Sequence, residues 1–453
     1  MNRYCFKILI LVLVQLNSAT LLKINSADIL KQNPLGGKTI YGNIDIEYDI
    51  YRVKCDSAVI DRDMTNARLF RNILFSDTSR TIKCSNATLS KTPNGKLAYL
   101  SGDIRITEKD FLITGKNASM NEINNSVSVY DSVIVKYYSY MSALWCKRLE
   151  YDTKNDIVTS NDVDSVLYID SLRYARLKTR EFRYDVRKEL LSFDSRFNVE
   201  SHEFIDPYMD FRKADPAKIS KIVQKLPVKK DAFFSAERGK FLFENLDVET
   251  IGKCSFTQID RLEQDTIYFK ADRIKYNEEL ARGDAYGKVN IKQNKLNIDT
   301  KHASYDQKTG TVKFFDRPII TYEYHTVTGD SVSLVMDEKE TYPKEGTVYG
   351  NPYFESKPDK ENPDELDFLK GKLMNLWFSD KEISKIIVSK EAEGLYFIRR
   401  EKKKTSEASN YLLGDEIIIN FKNGDIDNAS IISGCEGIYY PDKIKREGLK
   451  KKK

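Results

Sequence analysis

The sequence predicts an all-β protein in which repeated β-hairpins stack into an elongated, open-ended β-jelly roll. Three observations lead to this prediction. Val, Ile, Tyr, Phe and Thr alternate with polar residues over short runs along the chain, which is the two-residue period of half-buried strands. Turn-forming dipeptides separate these runs, and one short motif recurs at a nearly regular spacing.

The turn dipeptides mark the tips of the predicted hairpins. Asn and Gly tolerate positive φ at the central positions of a tight hairpin turn, which other residues adopt less readily. Such pairs follow alternating runs at Asn94-Gly95, Asn124-Asn125, Asn155-Asp156, Thr309-Gly310 and Asn423-Gly424.

The recurring motif is a small or short residue, two intervening residues, and then two apolar residues that are two positions apart. Neighbouring copies within each group lie 29 to 43 residues apart, as in the spacing from Cys55 to Cys84 or from Gly371 to Gly414. A period of this size indicates stacked supersecondary units and not independent domains. The copies begin at Cys55, Cys84, Gly115, Cys146, Ala271, Thr300, Gly329, Gly371 and Gly414.

Each copy is expected to be a bent strand. In the first copy Cys55 and Ala58 are three positions apart, an odd number, so strict alternation would put them on different faces of a sheet. A bulge or sharp bend between them would return both to the interior. A second strand returns after each turn, for example from Gly102, Asp131, Gly287 or Asp316. We therefore expect kinked strands that wrap two sheets around one elongated core.

The pattern divides the chain into segments. Arg3, Lys7, an apolar run at residues 8–16 and Ala19 are typical of a secretory signal peptide, so we expect export and, in a Gram-negative cell, a periplasmic location. The predicted segments are a signal peptide at 1–19, a first array at 20–205, a linker with a short helix (216–226) at 206–232, a second array at 233–337, a loop at 338–365, a C-terminal repeat pair at 366–441 and a basic tail at 442–453.

Composition and motifs argue against several functions. The chain has 73 Lys plus Arg and 68 Asp plus Glu, a balance of +5 that is too weak to indicate a nucleic-acid partner. None of the three histidines, His202, His302 and His325, has a second ligand at metal spacing, and no Gly-x-Ser-x-Gly motif occurs. We therefore expect no metal, no cofactor and no catalytic activity.

Three cysteines, Cys55, Cys84 and Cys146, occupy the same position of the motif. Equivalent positions on neighbouring strands lie about 4.8 Å apart, which is compatible with a Cys55–Cys84 disulfide. A buried small residue, exchangeable with the Gly or Ala of other copies, fits this position better.

The repeats resemble the OstA-like, or LptA-like, domains of the lipopolysaccharide-transport family, and in particular its long Bacteroidetes-type members. The resemblance covers about residues 22–441, with motif copies that are individually degenerate. This chain is longer than the simple bridge proteins of the family. It shows no obvious counterpart of the barrel domain of the outer-membrane member. The motif is carried by residues 117–120 (NASM), 100–106 (LSGDIRI), 271–273 (ADR) and 433–441 (SGCEGIYYP).

The resemblance implies a jelly roll whose hydrophobic groove holds the acyl chains of lipid A. It implies stacking through exposed edge strands into a bridge towards the outer membrane, with lipopolysaccharide, other bridge proteins, a second copy of the chain and an outer-membrane assembly protein as partners. The predicted groove-lining residues are the inward apolar positions of the first array, and ordinary core packing is the alternative for each. They are Ala58, Ile60, Ala87, Leu89, Ala118, Met120, Leu149 and Tyr151.

Two other functions remain as hypotheses. One is a structural or adhesive β-repeat protein of the cell envelope, which would differ in having an interior closed to lipid. The other is a β-helix enzyme that acts on polysaccharide. A β-helix would have rungs nearer 20 to 25 residues, and the observed spacing of 29 to 43 residues counts against it.

Overall fold

The computed structural model describes most of the chain between residues 22 and 441. The predicted signal peptide, the basic tail and, apart from Leu226, the short helix lie outside the described residues. The described part contains no helix long and apolar enough to cross a membrane. The described residues are 22–48, 51–108, 111–137, 142–169, 173–205, 226–337, 342–357, 365–379, 382–398, 406, 408–422 and 425–441.

The prediction of an all-β fold is confirmed. Throughout the described chain the regular elements are β-strands, and the assigned pairings between them are antiparallel. The chain forms two compact units: unit 1 holds the residues up to Thr250 together with Gln258–Gln264, and unit 2 holds Ile251–Thr257 and the residues from Asp265 onwards. The segment boundaries given above remain predictions.

Unit 1 begins with β1 and β2, which pair with the two halves of β3, and continues as a meander in which each long strand pairs with the next. Its strands are β1 (Lys23–Ser26), β2 (Ile29–Gln32), β3 (Lys38–Tyr48), β4 (Tyr51–Ile60), β5 (Asn66–Ser76), β6 (Arg80–Thr92), β7 (Gly95–Glu108), β8 (Phe111–Asn121), β9 (Ser126–Tyr137), β10 (Ser142–Asp152), β11 (Ile157–Ile169), β12 (Arg173–Thr179), β13 (Glu181–Asp185), β14 (Leu190–Phe193), β15 (Phe197–Phe204), β16 (Val228–Ala236) and β17 (Arg238–Leu242).

The residues of β18 (Asp247–Asp260) are divided between the two units. Unit 2 repeats the same architecture and ends with β32 and β33 on the two halves of β31. Its strands are β19 (Asp265–Asn277), β20 (Arg282–Gln293), β21 (Leu296–Asp306), β22 (Thr311–Phe315), β23 (Ile319–Tyr322), β24 (His325–Thr328), β25 (Ser331–Met336), β26 (Pro343–Tyr349), β27 (Tyr353–Ser356), β28 (Asp367–Lys370), β29 (Leu373–Ser379), β30 (Glu382–Ile398), β31 (Ala408–Lys422), β32 (Asp425–Ile432) and β33 (Glu436–Pro441).

The predicted bend lies in the middle of each long strand. Between β3 and β4, Tyr41 pairs with Ser57 and Ile44 pairs with Cys55, so two residues of β3 oppose one residue of β4. This is a β-bulge, and it returns Cys55 and Ala58 to the interior, where both are buried. Where a bend is sharper the strand is interrupted, and β12 with β13 are two halves of one such strand opposite β11.

The bends depend on residues with positive φ. Gly102 and Asp103 have φ values of 80° and 48°, and Asp131 and Ser132 have values of 64° and 58°. Two consecutive residues in the left-handed region turn the strand direction, which a regular strand conformation cannot do. At Gly102 a side chain would also collide with Ser85, because a Cβ there would lie 2.6 Å from the Ser85 Cβ.

The predicted turn residues close the hairpins as expected. Asn125, Asp156 and Gly310 have φ values of 51°, 56° and 60°. Between β6 and β7 the turn consists of Pro93 and Asn94, one residue before the predicted pair, and Gly95 begins β7 opposite Thr92. The Asn423-Gly424 pair lies outside the described residues.

Two secondary-structure predictions were wrong in part. The segment 338–365, predicted as a loop, contains β26 and β27 in its described portion, and β16 begins within the predicted linker at Val228. Pro343 is the first residue of β26, a position where proline is tolerated.

The cysteines agree with the favoured interpretation, a buried small residue, and not with the alternative of a Cys55–Cys84 disulfide. Copies of the motif lie on β4, β6 and β10, so β5 separates Cys55 from Cys84. Two inter-strand spacings amount to roughly 10 Å, beyond the reach of a disulfide. Cys55, Cys84, Cys146 and Cys254 are buried free thiols, and Cys435 is an exposed one.

Candidate functional site

The predicted groove residues of unit 1 form two neighbouring rows on one inner sheet face. In the first row Ala58 pairs with Leu69, Leu69 with Ala87, and Ala87 with Leu100. The row continues through Ala118 and Val129 to Leu149, so that small and large side chains alternate across the sheet. This alternation lets the side chains of the opposite sheet pack between the rows.

The second row lies two residues further along each strand. Ile60, Leu89, Met120 and Tyr151 belong to it, separated by Ala67, Ala98 and Val127 on the intervening strands. All eight predicted residues therefore share one face, and seven of them are buried, while Met120 is half-buried. Their proposed contact with lipid remains a prediction.

A cavity of about 90 Å³ lies between the two halves of the bent strands in unit 1. Leu89, Ala118 and Met120 are the predicted residues that line it, whereas the other five pack into the surrounding core. The remaining lining residues come mainly from strands that the motif did not mark. They are Tyr48, Tyr51, Phe75, Arg80, Ile82, Ala98, Leu100, Ile106, Ser119, Val127 and Val129.

Arg80 is the one charged residue in the described lining of this cavity. Its side chain is only 8% exposed, and its Nε lies 3.6 Å from Asp77 Oδ2 and 3.9 Å from Glu108 Oε2. A buried guanidinium keeps its charge, so these two carboxylates compensate it. The cavity thus combines apolar walls with a guanidinium whose charge is already compensated, which suits the aliphatic part of a ligand. Sequence reasoning missed Arg80, because it begins β6 outside the motif.

Tyr151 shows how the far end of the row is fixed. Its hydroxyl donates a 2.7 Å hydrogen bond to Asp156 Oδ1, and Arg187 Nε donates to Asp156 Oδ2 at 2.5 Å. Burial, together with the neighbouring carboxylate, raises the pKa of the Tyr151 hydroxyl, while the hydrogen bonds from Tyr151 and Arg187 lower the pKa of Asp156. This network holds Tyr151 in the core, and its arrangement favours a structural role.

The buried thiols are poor nucleophiles at neutral pH. Burial raises the pKa of Cys55 and Cys84 to about 12 and that of Cys146 to about 11. The thiolate is the reactive form, so these side chains behave as small apolar groups at neutral pH. The Gly115 position shows why small residues are needed there, since a Cβ would lie 2.7 Å from Cγ1 of Val129.

A second cavity, of about 120 Å³, lies within unit 2. Apolar side chains form most of its walls, and His325, at the start of β24, is part of its lining. In the sequence this site is marked only by a histidine that begins a short alternating run, residues 325–328. Its lining residues are Gln293, Asn294, Leu296, Ile320, Tyr322, His325, Val327, Leu334, Tyr342, Pro343, Leu376, Phe378 and Ile383.

The other two histidines lie in surface networks. His202 Nδ1 is 2.6 Å from Asp231 Oδ1, and Arg261 Nε donates to the other oxygen of Asp231 at 2.7 Å. His302 stacks between Tyr286 and Phe315, with ring centroids 4.6 and 4.7 Å apart. In the described part of the chain no group of three or more His, Cys, Asp or Glu residues is arranged to hold a metal ion.

The chain was compared with family models, with curated proteins and with solved structures. No family model and no curated protein sequence matches the chain. Among solved structures, the chain is similar to LptH of Pseudomonas aeruginosa, described as the LptA-homologous periplasmic component of the lipopolysaccharide transport device. The match has 18% identity and a TM-score of 0.25, and it covers 32% of this chain and 95% of that one.

Proposed function

We propose that the protein is a periplasmic component that binds lipopolysaccharide through the acyl chains of lipid A and takes part in its transport to the outer membrane. In this role it is a carrier and not an enzyme. The observation that carries the proposal is the apolar cavity of unit 1, where Leu89, Ala118 and Met120 face side chains of the opposite sheet. The family resemblance of the repeats supports the same role.

Burial of acyl chains would provide the driving force. Each methylene transferred from water to an apolar interior contributes about 0.8 kcal/mol. A cavity of about 90 Å³ is smaller than the ~150 Å³ cavity that accepts benzene, so it takes a short segment of one chain. Binding of a whole lipid therefore requires the two sheets to separate further.

Edge strands offer a route to association. In the assigned pairings β1 and β2 pair with β3 alone, and β32 and β33 pair with β31 alone. Ile29 and Leu30 on β2, and Ile438 and Tyr439 on β33, are exposed. Unpaired strand edges with apolar side chains can add strands of another chain by β-augmentation. Partners of this kind would be a second copy or other proteins of the transport bridge.

A structural or adhesive role in the cell envelope is the second candidate. The tight packing of unit 1 favours it, because Ala58, Ile60, Leu89 and Tyr151 are at most 1% exposed. A closed interior of this kind would serve as a rigid rod without admitting lipid.

The test separates the two roles. The chain from residue 20 would be purified from a host with an outer membrane, with a photo-crosslinking amino acid at Met120 or, as control, at Tyr99, which is exposed on β7. Mass spectrometry would then identify bound and crosslinked lipid. Stoichiometric lipopolysaccharide crosslinked at Met120 but not at Tyr99 is the expected result. Lipid-free protein, or equal crosslinking at both positions, would favour the structural role.

A further inference from the structure

We propose that the cavity of unit 2 is a second binding site, and that its ligand is an aliphatic chain bearing a hydroxyl group that hydrogen-bonds to His325. This site goes beyond the proposed transport function, since it lies in the other unit and makes no use of Arg80. Its walls, its polar groups and its size each restrict the ligand.

The walls select an aliphatic chain. Ile320, Val327 and Leu334 are buried members of the unit 2 core, and Leu296 and Phe378 pack against that core and line the same cavity. Surfaces of this kind stabilise a ligand through burial of apolar area. The described lining contains no Lys, Arg, Asp or Glu, so nothing in it would compensate a charged group on the ligand.

Two of the polar lining residues already have a common partner. The side-chain amides of Gln293 and Asn294 donate hydrogen bonds of 2.5 and 2.9 Å to the two carboxylate oxygens of Asp265. Asp265 is itself buried, so this arrangement fixes the β20–β21 turn at the edge of the cavity. These amide donors are therefore committed to the fold.

His325 is different, because it is polar, buried and incompletely hydrogen-bonded. Its side chain is 8% exposed, and its Nδ1 atom is buried without a hydrogen-bond partner. Aromatic rings fix the imidazole, with centroids 5.4 Å from Phe354 in a stacked geometry and 4.2 Å from Tyr324. A buried polar atom without a partner destabilises the fold, so a ligand group that pairs with it gains a hydrogen bond at little further cost to the protein.

The protonation state of the ring defines the partner that it needs. Burial lowers the pKa of His325 to about 4, so the imidazole is neutral at physiological pH. A neutral imidazole has one N–H donor and one acceptor nitrogen. In the proposed site the unpartnered Nδ1 is the acceptor, and the hydroxyl group of the ligand donates its hydrogen bond to it. An ether or a plain alkyl chain lacks the donor, and a carboxylate would bring an uncompensated charge.

The volume limits the bound segment. At about 120 Å³ the cavity is somewhat smaller than the ~150 Å³ apolar cavity that binds benzene. It accommodates a chain segment of a few methylene groups with one hydroxyl. A short alkanol is therefore a sufficient probe of the site.

The experiment compares two isomers on the whole chain from residue 20. 1-Hexanol carries a hydroxyl, whereas 1-methoxypentane has the same atoms but no hydrogen-bond donor. The three histidines of the chain, His202, His302 and His325, would be labelled with ¹⁵N and followed by NMR during titration with each compound. His325→Phe keeps a planar ring without nitrogen, and Leu296→Phe fills the cavity while leaving His325 in place.

The expected result is a hexanol-dependent shift of the His325 ring nitrogens, with those of His202 and His302 unchanged. Hexanol should bind roughly five- to tenfold more tightly than the ether, which corresponds to about 1 kcal/mol for one hydrogen bond. His325→Phe should bring this ratio close to one, and Leu296→Phe should weaken both compounds. Absence of hexanol binding, or an unchanged ratio in His325→Phe, would overturn the proposal. Failure to find lipopolysaccharide would leave these outcomes unaffected.

Discussion

Asn117 and Asp131 are joined across the bend between β8 and β9 by a hydrogen bond of 2.8 Å, from Nδ2 of the asparagine to Oδ2 of the aspartate. Asp131 has positive φ, so the bond links a strained backbone position to the neighbouring strand. The same kind of bond occurs at two other bends of unit 1. Two further pairs are Asn72 with Asp56 and Asn43 with Asp28.

This pair should show measurable coupling in a double-mutant cycle. Asn117→Ala removes the donor, and Asp131→Gly removes the acceptor while tolerating the positive φ of that position. We expect a coupling energy of about 1 kcal/mol in the free energy of unfolding, as for a partly buried side-chain hydrogen bond. Urea denaturation of the two single variants and the double variant measures it, and strictly additive effects would contradict the interpretation.

Gly102 should tolerate substitution much less well than Gly437. Gly102→Ala places a Cβ 2.6 Å from the Ser85 Cβ at a φ of +80°, whereas nothing lies within 4 Å of a Cβ at Gly437. The left-handed conformation alone costs an alanine about 1 kcal/mol, and the overlap adds to it. We expect a loss of about 2 kcal/mol or more for Gly102→Ala and little change for Gly437→Ala. Thermal denaturation followed by circular dichroism provides the comparison, in which equal melting temperatures would refute the role of the bend.

Filling the unit 1 cavity should reduce lipid binding without loss of stability. Ala98 lines the cavity between Leu89 and Met120. The larger side chain of Ala98→Leu would therefore occupy part of the volume proposed to hold an acyl chain. Thr88→Leu, at an exposed position of β6, is the matched control. We expect bound lipopolysaccharide, measured by mass spectrometry after purification, to fall at least severalfold in Ala98→Leu and to stay constant in Thr88→Leu. Equal lipid content in the two variants would place the bound lipid elsewhere.

Thiol reactivity should distinguish one cysteine from the other four. Cys435 is exposed, while Cys55, Cys84, Cys146 and Cys254 are buried, and burial raises the pKa of Cys55 and Cys84 to about 12. In the chain from residue 20, a thiol reagent at pH 8 should modify one thiol rapidly when the protein is native and five after unfolding. Cys435→Ser should abolish the rapid phase. Recovery of only three thiols from unfolded, unreduced protein would reveal a disulfide that the structure does not contain.

His325 should make unit 2 sensitive to mild acid. Its pKa is about 4 in the fold and 6.5 in an exposed chain, so the unfolded state binds the proton more readily between these values. Its contribution to stability is therefore complete above about pH 6.5 and declines as the pH falls towards 4, by about 3 kcal/mol.

The measurement is the stability of wild type and His325→Phe from pH 4 to 7. The negative charge of Glu323 beside the ring opposes the lowering of the His325 pKa, and the substitution leaves every carboxylate of the chain in place. The difference between the two stability curves should therefore report His325 itself. We expect the wild type to lose more stability than the variant over this window, and parallel curves would be inconsistent with a buried neutral imidazole.

The fold could be predicted because its decisive signals are local. The alternation of apolar and polar residues, the turn pairs and the parity change between Cys55 and Ala58 each act within a few residues of sequence. The exact bend residues were less accessible, since Asp131 and Ser132 adopt positive φ in response to the opposing strand and not through a glycine preference. The repeat spacing alone did not show that β5 lies between the strands of Cys55 and Cys84, because this depends on the order in which the strands pair.

The candidate sites could be predicted only in part. The motif marked Leu89, Ala118 and Met120, because inward-facing positions follow from periodicity. The motif could not mark Phe75, Ile82 or Arg80, because these residues reach the cavity only when the two halves of the bent strands fold over one another. His325 was equally hidden, since an unpaired ring nitrogen is a property of three-dimensional surroundings.

The nearest-neighbour pairing of bent strands in unit 1 has a consequence for how such a chain could change in evolution. From β3 to β11 each strand hydrogen-bonds to the strand before and after it along the chain. Duplication or deletion of one complete hairpin would therefore create a single new junction and leave the remaining ladder intact. Duplication within the gene could therefore lengthen the sheet by one hairpin at a time, while the packing of the existing core stays the same.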